Sequence, residues 1–495
     1  MIEVQLSYDN FEYDIYSLVK AFYPKEDIVF TKPDITRRQV QETDLPLVFR
    51  VVYNPSDIMI CAEEAGTGRR LKREVSLAAY PDYTEYRRQI KSELKKGLYE
   101  VLNSLTGKQL PWGTLTGIRP VKIPYAMLEE GMNDKEIYAA MKEEYLAADS
   151  KIALSIDIAR RERELLSKID YDKGYSLYVG IPFCPTRCLY CSFTSFPINI
   201  WEKRADEYVD ALCREIDFTS RIMKGRPLNS FYMGGGTPTT LLPRQSEKLL
   251  KKIRESFDFS KCTEFTVEAG RPDSITEDKL RTLKEYGVDR ISVNPQTMNQ
   301  KTLDLIGRRH TVKQTVDAFL LARKCGFDNI NMDLIAGLPG ETEKDIEHTM
   351  REVSKLLPDS VTVHSLALKR AARLNERKED YEDYKSVNTE EVSEMIRGYT
   401  KRMGLEPYYL YRQKNMSGNL ENVGYAAAGK EGIYNILIME EKQTIVALGA
   451  GSITKRVFPD GRIERCENVK DVASFIERID EMLERKRSFF KDFDF

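Results

Sequence analysis

Six short apolar, β-rich runs recur between Ser176 and Ser365. They are SLYVGI (176–181), SFYMG (230–234), EFTVEA (264–269), RISVN (290–294), INMDLI (330–335) and SVTVHS (360–365). Amphipathic helical stretches separate them. A strand covered on both faces reads as a continuous apolar run, and alternation with helices predicts βαβ units in a parallel sheet. Right-handed crossovers then predict a barrel-like sheet, of which an incomplete (β/α)8 is one form. The expected fold class is α/β. Each run ends in residues able to meet a ligand: a cysteine loop, GGGTP, Glu268, NPQ, Asp333 and His364-Ser365. Parallel α/β architectures place their sites at these C-terminal strand ends. One polar strand end would only face water, whereas several beside a cysteine cluster favour a site.

The flanking sequence has a different texture. Residues 1–170 are expected to form an N-terminal α+β domain. Its strand-like runs are IEVQLS, LVFRVVY, IMICAEE and REVSLAA, with helical patterns near 10–22 and 84–106. A helical stretch from Lys151, KIALSIDIARRERELLSKI, leads out of it. The barrel is expected over 171–370, and a smaller C-terminal domain covering the active site over 371–495. The charged run near 375–393 reads as a solvated helix face. The turn TLTGIRPVK (114–122) offers no derivable chemistry.

Charge narrows the function. With 76 basic and 78 acidic residues among 495, the formal net charge is −2. That balance argues against a strongly basic nucleic-acid binder. The start, MIEVQLSYDNFEYDIY, lacks the basic and apolar regions of a secretory signal. No apolar run approaches the ~18–20 residues of a membrane span. The expected location is the cytoplasm, where thiols stay reduced.

Eight cysteines are present, at 61, 184, 188, 191, 213, 262, 325 and 466. Five are scattered among apolar or amphipathic neighbours and read as small core residues. Cys184, Cys188 and Cys191 instead share one loop with spacing C-x3-C-x2-C, just after the first apolar run. A structural zinc site wants a second C-x2-C or H-x3–5-H pair. The chain has only His310, His348 and His364, none at that spacing. A redox C-x-x-C would leave Cys184 surplus. A [4Fe–4S] cube takes four protein ligands when it is closed. Three close cysteines leave one iron open for a ligand or substrate.

This loop, with Tyr190 before the last cysteine, resembles the radical S-adenosylmethionine (SAM) enzymes. The resemblance implies a partial (β/α)6 barrel. It implies an open iron that chelates SAM, and cleavage of SAM to a 5'-deoxyadenosyl radical that abstracts hydrogen from a substrate. LYVGIPFCPTRCLYC, FYMGGGTPTTL, RISVNPQTMNQKTLDLIGRRHT and MDLIAGLPGET together are similar to the oxygen-independent coproporphyrinogen III oxidases, in a longer variant. The similarity covers about residues 175–370, with weaker echoes in YYLYRQKNMSGNLENVGY and TIVALGAGSITK.

Several positions gain roles from this resemblance. Cys184, Cys188 and Cys191 are expected to hold the cluster. Gly235, Gly236 and Thr237 match the loop that meets the methionyl amino group of SAM. Glu268 stands where a carboxylate accepts hydrogen bonds from a ribose or amino group. Gln296, Arg308 and Asp333 match positions that contact a SAM molecule, in some members a second one. Tyr178 and Tyr190 flank the cluster loop. Blander roles compete with these: a tight turn at GGG, a cap acid at Asp333, a surface charge at Arg308, core packing for the tyrosines.

The resemblance implies a tetrapyrrole substrate with four propionates and an electron donor like a flavodoxin or ferredoxin. Propionates want basic donors, arginine above all. Arg187, Lys369, Arg370, Arg373 and Arg412 are candidates. The chain also departs from well-known members. Gly180 replaces a histidine, and Phe193 replaces a fourth cysteine, as in the related haem-chaperone branch. That branch carries a His-Asn…Tyr-Trp motif which RQKNMSGNLENVGY lacks. Three functions are therefore expected, in order: radical decarboxylation of coproporphyrinogen III, haem trafficking, and radical chemistry on another tetrapyrrole.

Overall fold

A computed structural model describes residues 1–8, 10–32, 46–54, 56–77, 83–117, 119–367, 387–413 and 416–491. The chain divides into two compact units, Met1–Ile156 with Gln413–Asn415, and Asp157–Arg412 with Met416–Phe495. The boundaries expected at 170 and 370 differ from this division. Strands after residue 400 fall in the same unit as the six expected runs.

The first unit holds a five-stranded sheet of β1 (Ile2–Leu6), β2 (Ile28–Thr31), β3 (Leu47–Tyr53), β4 (Asp57–Glu64) and β5 (Arg69–Ser76). Their order is β2-β1-β3-β4-β5. β1 pairs in parallel with both neighbours, while β4 runs antiparallel to β3 and β5. Val4, Phe49 and Ile60 turn one face of the sheet inward, where Leu18 and Phe22 of helix Glu12–Phe22 and Leu94 and Leu98 of helix Tyr83–Thr106 pack. The strand β2 was not among the expected runs. At four residues, none fully buried, it carries little apolar signal.

The second unit is built on an 11-stranded sheet. Its strands are β6 (Tyr175–Ile181), β9 (Leu228–Gly235), β10 (Glu264–Glu268), β11 (Arg290–Ser292), β12 (Ile330–Ala336), β13 (Ser360–Ser365), β14 (Glu406–Tyr411), β15 (Asn422–Ala426), β16 (Thr444–Leu448), β17 (Ile453–Val457) and β18 (Ile463–Glu467). A separate two-residue pair, β7 (Phe183–Cys184) and β8 (Phe196–Pro197), shapes the cysteine loop. The large sheet runs β14-β15-β13-β12-β11-β10-β9-β6-β16-β17-β18. Its six expected strands lie side by side and parallel, in chain order. A seventh parallel strand, β16, joins beside β6. Antiparallel pairs finish both edges. The arrangement is the α/β architecture of a partial barrel.

Local chemistry explains these elements. Phe231, Phe265, Ile291, Met332 and Val361 are fully or almost fully buried, as strands covered on both faces require. The crossover helices are amphipathic. Ala205–Ile222, for example, buries Tyr208, Val209, Leu212 and Ile216. Thr276 and Thr311 cap the helices Glu277–Glu285 and Val312–Lys324 through side-chain oxygens that accept backbone N–H groups. The helices after β9, β10 and β12 begin within about ten residues of the strand end, whereas β6 and helix Ala205–Ile222 are separated by the long segment that carries the cysteine loop.

Candidate active site

Strands β6, β9, β10, β12 and β13 are buried almost throughout. In β6, β10, β12 and β13 a single residue keeps partial exposure: Tyr178, Glu268, Asp333 and His364. In β9 the partly exposed residues are Tyr232 and Gly235. Register aligns Tyr178 with Tyr232, so neighbouring strands turn these side chains to one face. The rings of Tyr178 and Tyr232 stack with centroids 6.3 Å apart, and Tyr434 stacks on Tyr232 at 4.6 Å. Tyr232 Oη donates to Glu268 Oε1 at 2.6 Å. His364 Nε2 stands 3.9 Å from Asp333 Oδ2, and Tyr411 Oη lies 3.3 Å from His364 Nδ1.

The two carboxylates titrate differently. Desolvation pushes Glu268 up to about 7, with Asp333 adding to the rise and the Tyr232 bond opposing it. Asp333 feels desolvation too, but His364 and the Asn331 amide, 2.7 Å away, hold it below its ordinary range. One face therefore carries a neutralisable acid beside a firmly ionised one.

The cysteine loop is fixed by backbone bonds. Gly236 N donates to Ile181 O at 2.8 Å, Thr237 N to Phe183 O at 2.7 Å, and Leu189 N to Ile306 O at 3.0 Å. Gly235 sits at φ 105°, and a Cβ there would come 3.1 Å from Tyr178 Oη. A Cβ at Gly236 would strike Phe183 O at 2.5 Å. Gly236 is thus required by the contact between two loops, and its own N–H is already spent there. Thr237 Oγ1 lies 3.5 Å from Cys184 Sγ.

Cys188 is the most buried of the three thiols, and two arginines address it. Arg271 Nη1 lies 3.6 Å from its sulfur. Arg308 donates to the Asn294 carbonyl and also interacts with Tyr190 and Cys188. Burial pushes the Cys184 thiol up to about 11 and raises Cys191 as well. Tyr190 packs against a cluster of Leu189, Leu303, Ile306, Ile335, Leu338 and Leu366. Gln296 takes a left-handed backbone, φ 68°, held by bonds of 2.9 Å to Asp333 O and from Ile335 N. It also borders a small cavity with Ile346, Thr349 and Met350 of helix Glu343–Leu356.

These residues fit a cluster with SAM. No three His, Cys, Asp or Glu among the described residues converge on a single metal ion. A cube binds each thiolate through its own iron, so its ligands need not converge. Buried neutral thiols become thiolates once metal binds. Arg308 Nε and both nitrogens of His310 are buried without a partner, which leaves donor and acceptor capacity at the site. None of the eight cysteines is in a disulfide.

Sequence reasoning missed Arg271, Tyr232 and Tyr434. The first has a visible signal, the turn GRPDS directly after β10. The tyrosine pair depends on a contact between distant segments. Among the substrate candidates, Arg187 is partly exposed on the cysteine loop. Arg412 is only 5% exposed, and its Nη2 donates to Asn419 O and Oδ1. That nitrogen is held by its own chain. Lys369, Arg370 and Arg373 lie outside the described residues.

Comparison with known proteins resolves the family. A family profile described as the radical SAM superfamily matches residues 178–353, from Tyr178 into helix Glu343–Leu356. The oxygen-independent coproporphyrinogen-III oxidase-like protein HemZ of Bacillus subtilis (strain 168) is 41% identical over 456 residues, 90% of each chain. The chain belongs to this coproporphyrinogen III oxidase-like family of radical SAM proteins. Its cofactors are accordingly a [4Fe–4S] cluster and SAM. The heme chaperone HemW of the same organism is 41% identical over 194 residues, covering 39% of this chain and 50% of HemW. The solved coproporphyrinogen III oxidase (HemN) of Escherichia coli superposes with a TM-score of 0.51 at 24% identity, covering 65% of this chain and 73% of that one. That likeness supports the radical SAM fold. No helix among the described residues is long and apolar enough to cross a membrane.

Proposed function

We propose that this protein converts two propionates of coproporphyrinogen III to vinyl groups, giving protoporphyrinogen IX in anaerobic haem biosynthesis. The observation that carries the reading is the row Tyr178, Tyr232, Glu268, Asp333 and His364 along one face of the strands, beside a three-cysteine loop. The relationship to HemZ along 90% of the chain supports the substrate class.

Cys184, Cys188 and Cys191 hold the cluster, and the glycine loop Gly235–Thr237, Glu268 and Asp333 meet SAM. Tyr178, Tyr190, Gln296 and Arg308 complete that set. When bound, cluster and SAM supply a 5'-deoxyadenosyl radical that removes one hydrogen atom from a propionate. The chain's own residues position and shield. Tyr232 spends its hydroxyl on one oxygen of Glu268, leaving the other for a ribose or amino donor. His364 and Asn331 keep Asp333 ionised to receive donors. The stacked tyrosines close one side of the site with apolar surface. Arg187 offers a cation to a propionate. Each propionate then loses one hydrogen atom, one electron and CO2. The electron passes to a one-electron acceptor, and a flavodoxin- or ferredoxin-like donor starts the turnover. Eight free cysteines suit a reducing cytoplasm.

Anaerobic incubation with coproporphyrinogen III, SAM and a reductant tests the reading. Protoporphyrinogen IX should form with 5'-deoxyadenosine. A stoichiometric Soret band on haem titration, with no decarboxylation, would favour haem trafficking instead.

A further inference from the structure

Arg271 lies in the turn after β10, outside every motif read from the sequence. Its residue is 3% exposed, so a guanidinium stands almost wholly out of water. Nε and Nη2 grip Asp273 as a fork, with bonds of 2.9 Å to Oδ1 and 2.8 Å to Oδ2. The bidentate grip fixes the guanidinium plane. The remaining edge then faces the cysteine loop. Nη1 reaches Thr186 O at 3.3 Å, Thr186 Oγ1 at 3.2 Å and Cys188 Sγ at 3.6 Å. The neighbouring His310 is fully buried, has no partner on either nitrogen, and is kept neutral by burial and by the two arginines. It adds no competing charge.

We infer that Arg271 is a positioning residue for Cys188, and that the Arg271–Asp273 pair sets the reduction potential of the cluster this cysteine binds. The inference rests on the assignment of Cys188 as a ligand. Hydrogen bonds to cluster sulfurs, nearby charge and solvent exposure govern such potentials. The reduced cluster carries one more negative charge than the oxidised one. A guanidinium on the thiolate stabilises that charge and raises the potential, and low local dielectric strengthens the effect. Asp273 opposes it from the far side of the same guanidinium. Lysine could not serve alike, because one ammonium cannot hold the fork and reach the sulfur together.

A merely structural staple between two loops would not predict opposite signs for the two partners. The test reconstitutes wild type, Arg271→Gln and Asp273→Asn anaerobically. Iron content and the midpoint potential, followed by electron paramagnetic resonance without SAM, are the readouts. Each protein should carry about four irons. Arg271→Gln should shift the potential to more negative values and Asp273→Asn to more positive ones. Equal potentials in loaded proteins, or shifts of the same sign, overturn the inference. If Arg271→Gln loads poorly, Asp273→Asn decides alone: a more positive potential supports the inference, and an unchanged or lower one overturns it. A wild type that takes up no cluster sinks the ligand assignment and this inference with it.

Discussion

Glu268 shows how burial tunes a single side chain. Its ordinary value of 4.5 is raised to about 7 by desolvation, against the pull of the Tyr232 hydroxyl. In the free protein the folded form therefore holds this proton more tightly than the unfolded chain does. The stability that the neutral acid contributes is complete at low pH and is lost as pH rises from about 4.5 to about 7. The proposed SAM contact has the opposite dependence, since only the carboxylate accepts hydrogen bonds with both oxygens. SAM affinity should rise between pH 6 and 8 and level off above. Glu268→Gln keeps the shape and removes the charge. A hydrogen bond to a charged group is worth roughly 1.5–3 kcal/mol, so affinity should fall by about one to two orders of magnitude. The pH dependence should flatten while iron content holds. Equilibrium dialysis on reconstituted protein checks both, and a wild-type-like pH profile in the variant would exclude Glu268 from the SAM site. Gly236 is a poorer probe. Its missing Cβ makes room for Phe183 O, so a valine there would displace the cysteine loop whatever SAM does.

The elements show which signals a sequence can carry. The six parallel strands were legible because each is buried on both faces and so reads as a short apolar block. The strand β16 was visible as TIVAL, yet nothing local says that Thr444 pairs with Tyr175, 269 positions away in the chain. That pairing is a long-range packing outcome. The same holds for the buried network at Lys486, which donates to Glu215 Oε1 at 2.7 Å while Glu215 Oε2 accepts Gly449 N at 2.8 Å. It ties helix Ile479–Phe489 and the loop after β16 to helix Ala205–Ile222. Helix Asp149–Leu166 carries a less settled group. Both oxygens of Glu162 are buried without a partner, and burial together with Glu440 of helix Ile433–Glu440 holds its acid well above the ordinary range. The folded state keeps this proton where the unfolded chain has released it. Stability should therefore fall as pH rises above about 4.5, by up to about 1.4 kcal/mol per pH unit over the window. Glu162→Gln should flatten that slope in thermal unfolding measured from pH 5 to 8. An unchanged slope would assign the dependence to other groups.

For the whole molecule, the sequence disclosed the architecture and the cysteine loop, and much less of what surrounds them. Cys184, Cys188 and Cys191 announce themselves by spacing, and Glu268 and Asp333 by their places in apolar strands. Arg271 and Tyr232 become visible only when β10, β9 and the cysteine loop are brought together. Arg412 was a candidate as a basic donor for propionates, and only the structure shows its Nη2 bonded to Asn419. Taken together, the fold sets a shielded face of strand residues beside three thiols. The proposed function places a porphyrinogen propionate on this face, against a SAM-derived radical. The most direct measurement uses coproporphyrinogen III carrying deuterium on the propionate carbon next to the ring, under anaerobic conditions with SAM and a reductant. The proposed reaction predicts deuterium in the 5'-deoxyadenosine and two molecules of CO2 for each protoporphyrinogen IX formed. Unlabelled 5'-deoxyadenosine from fully reconstituted protein, with the porphyrinogen recovered intact, would contradict it.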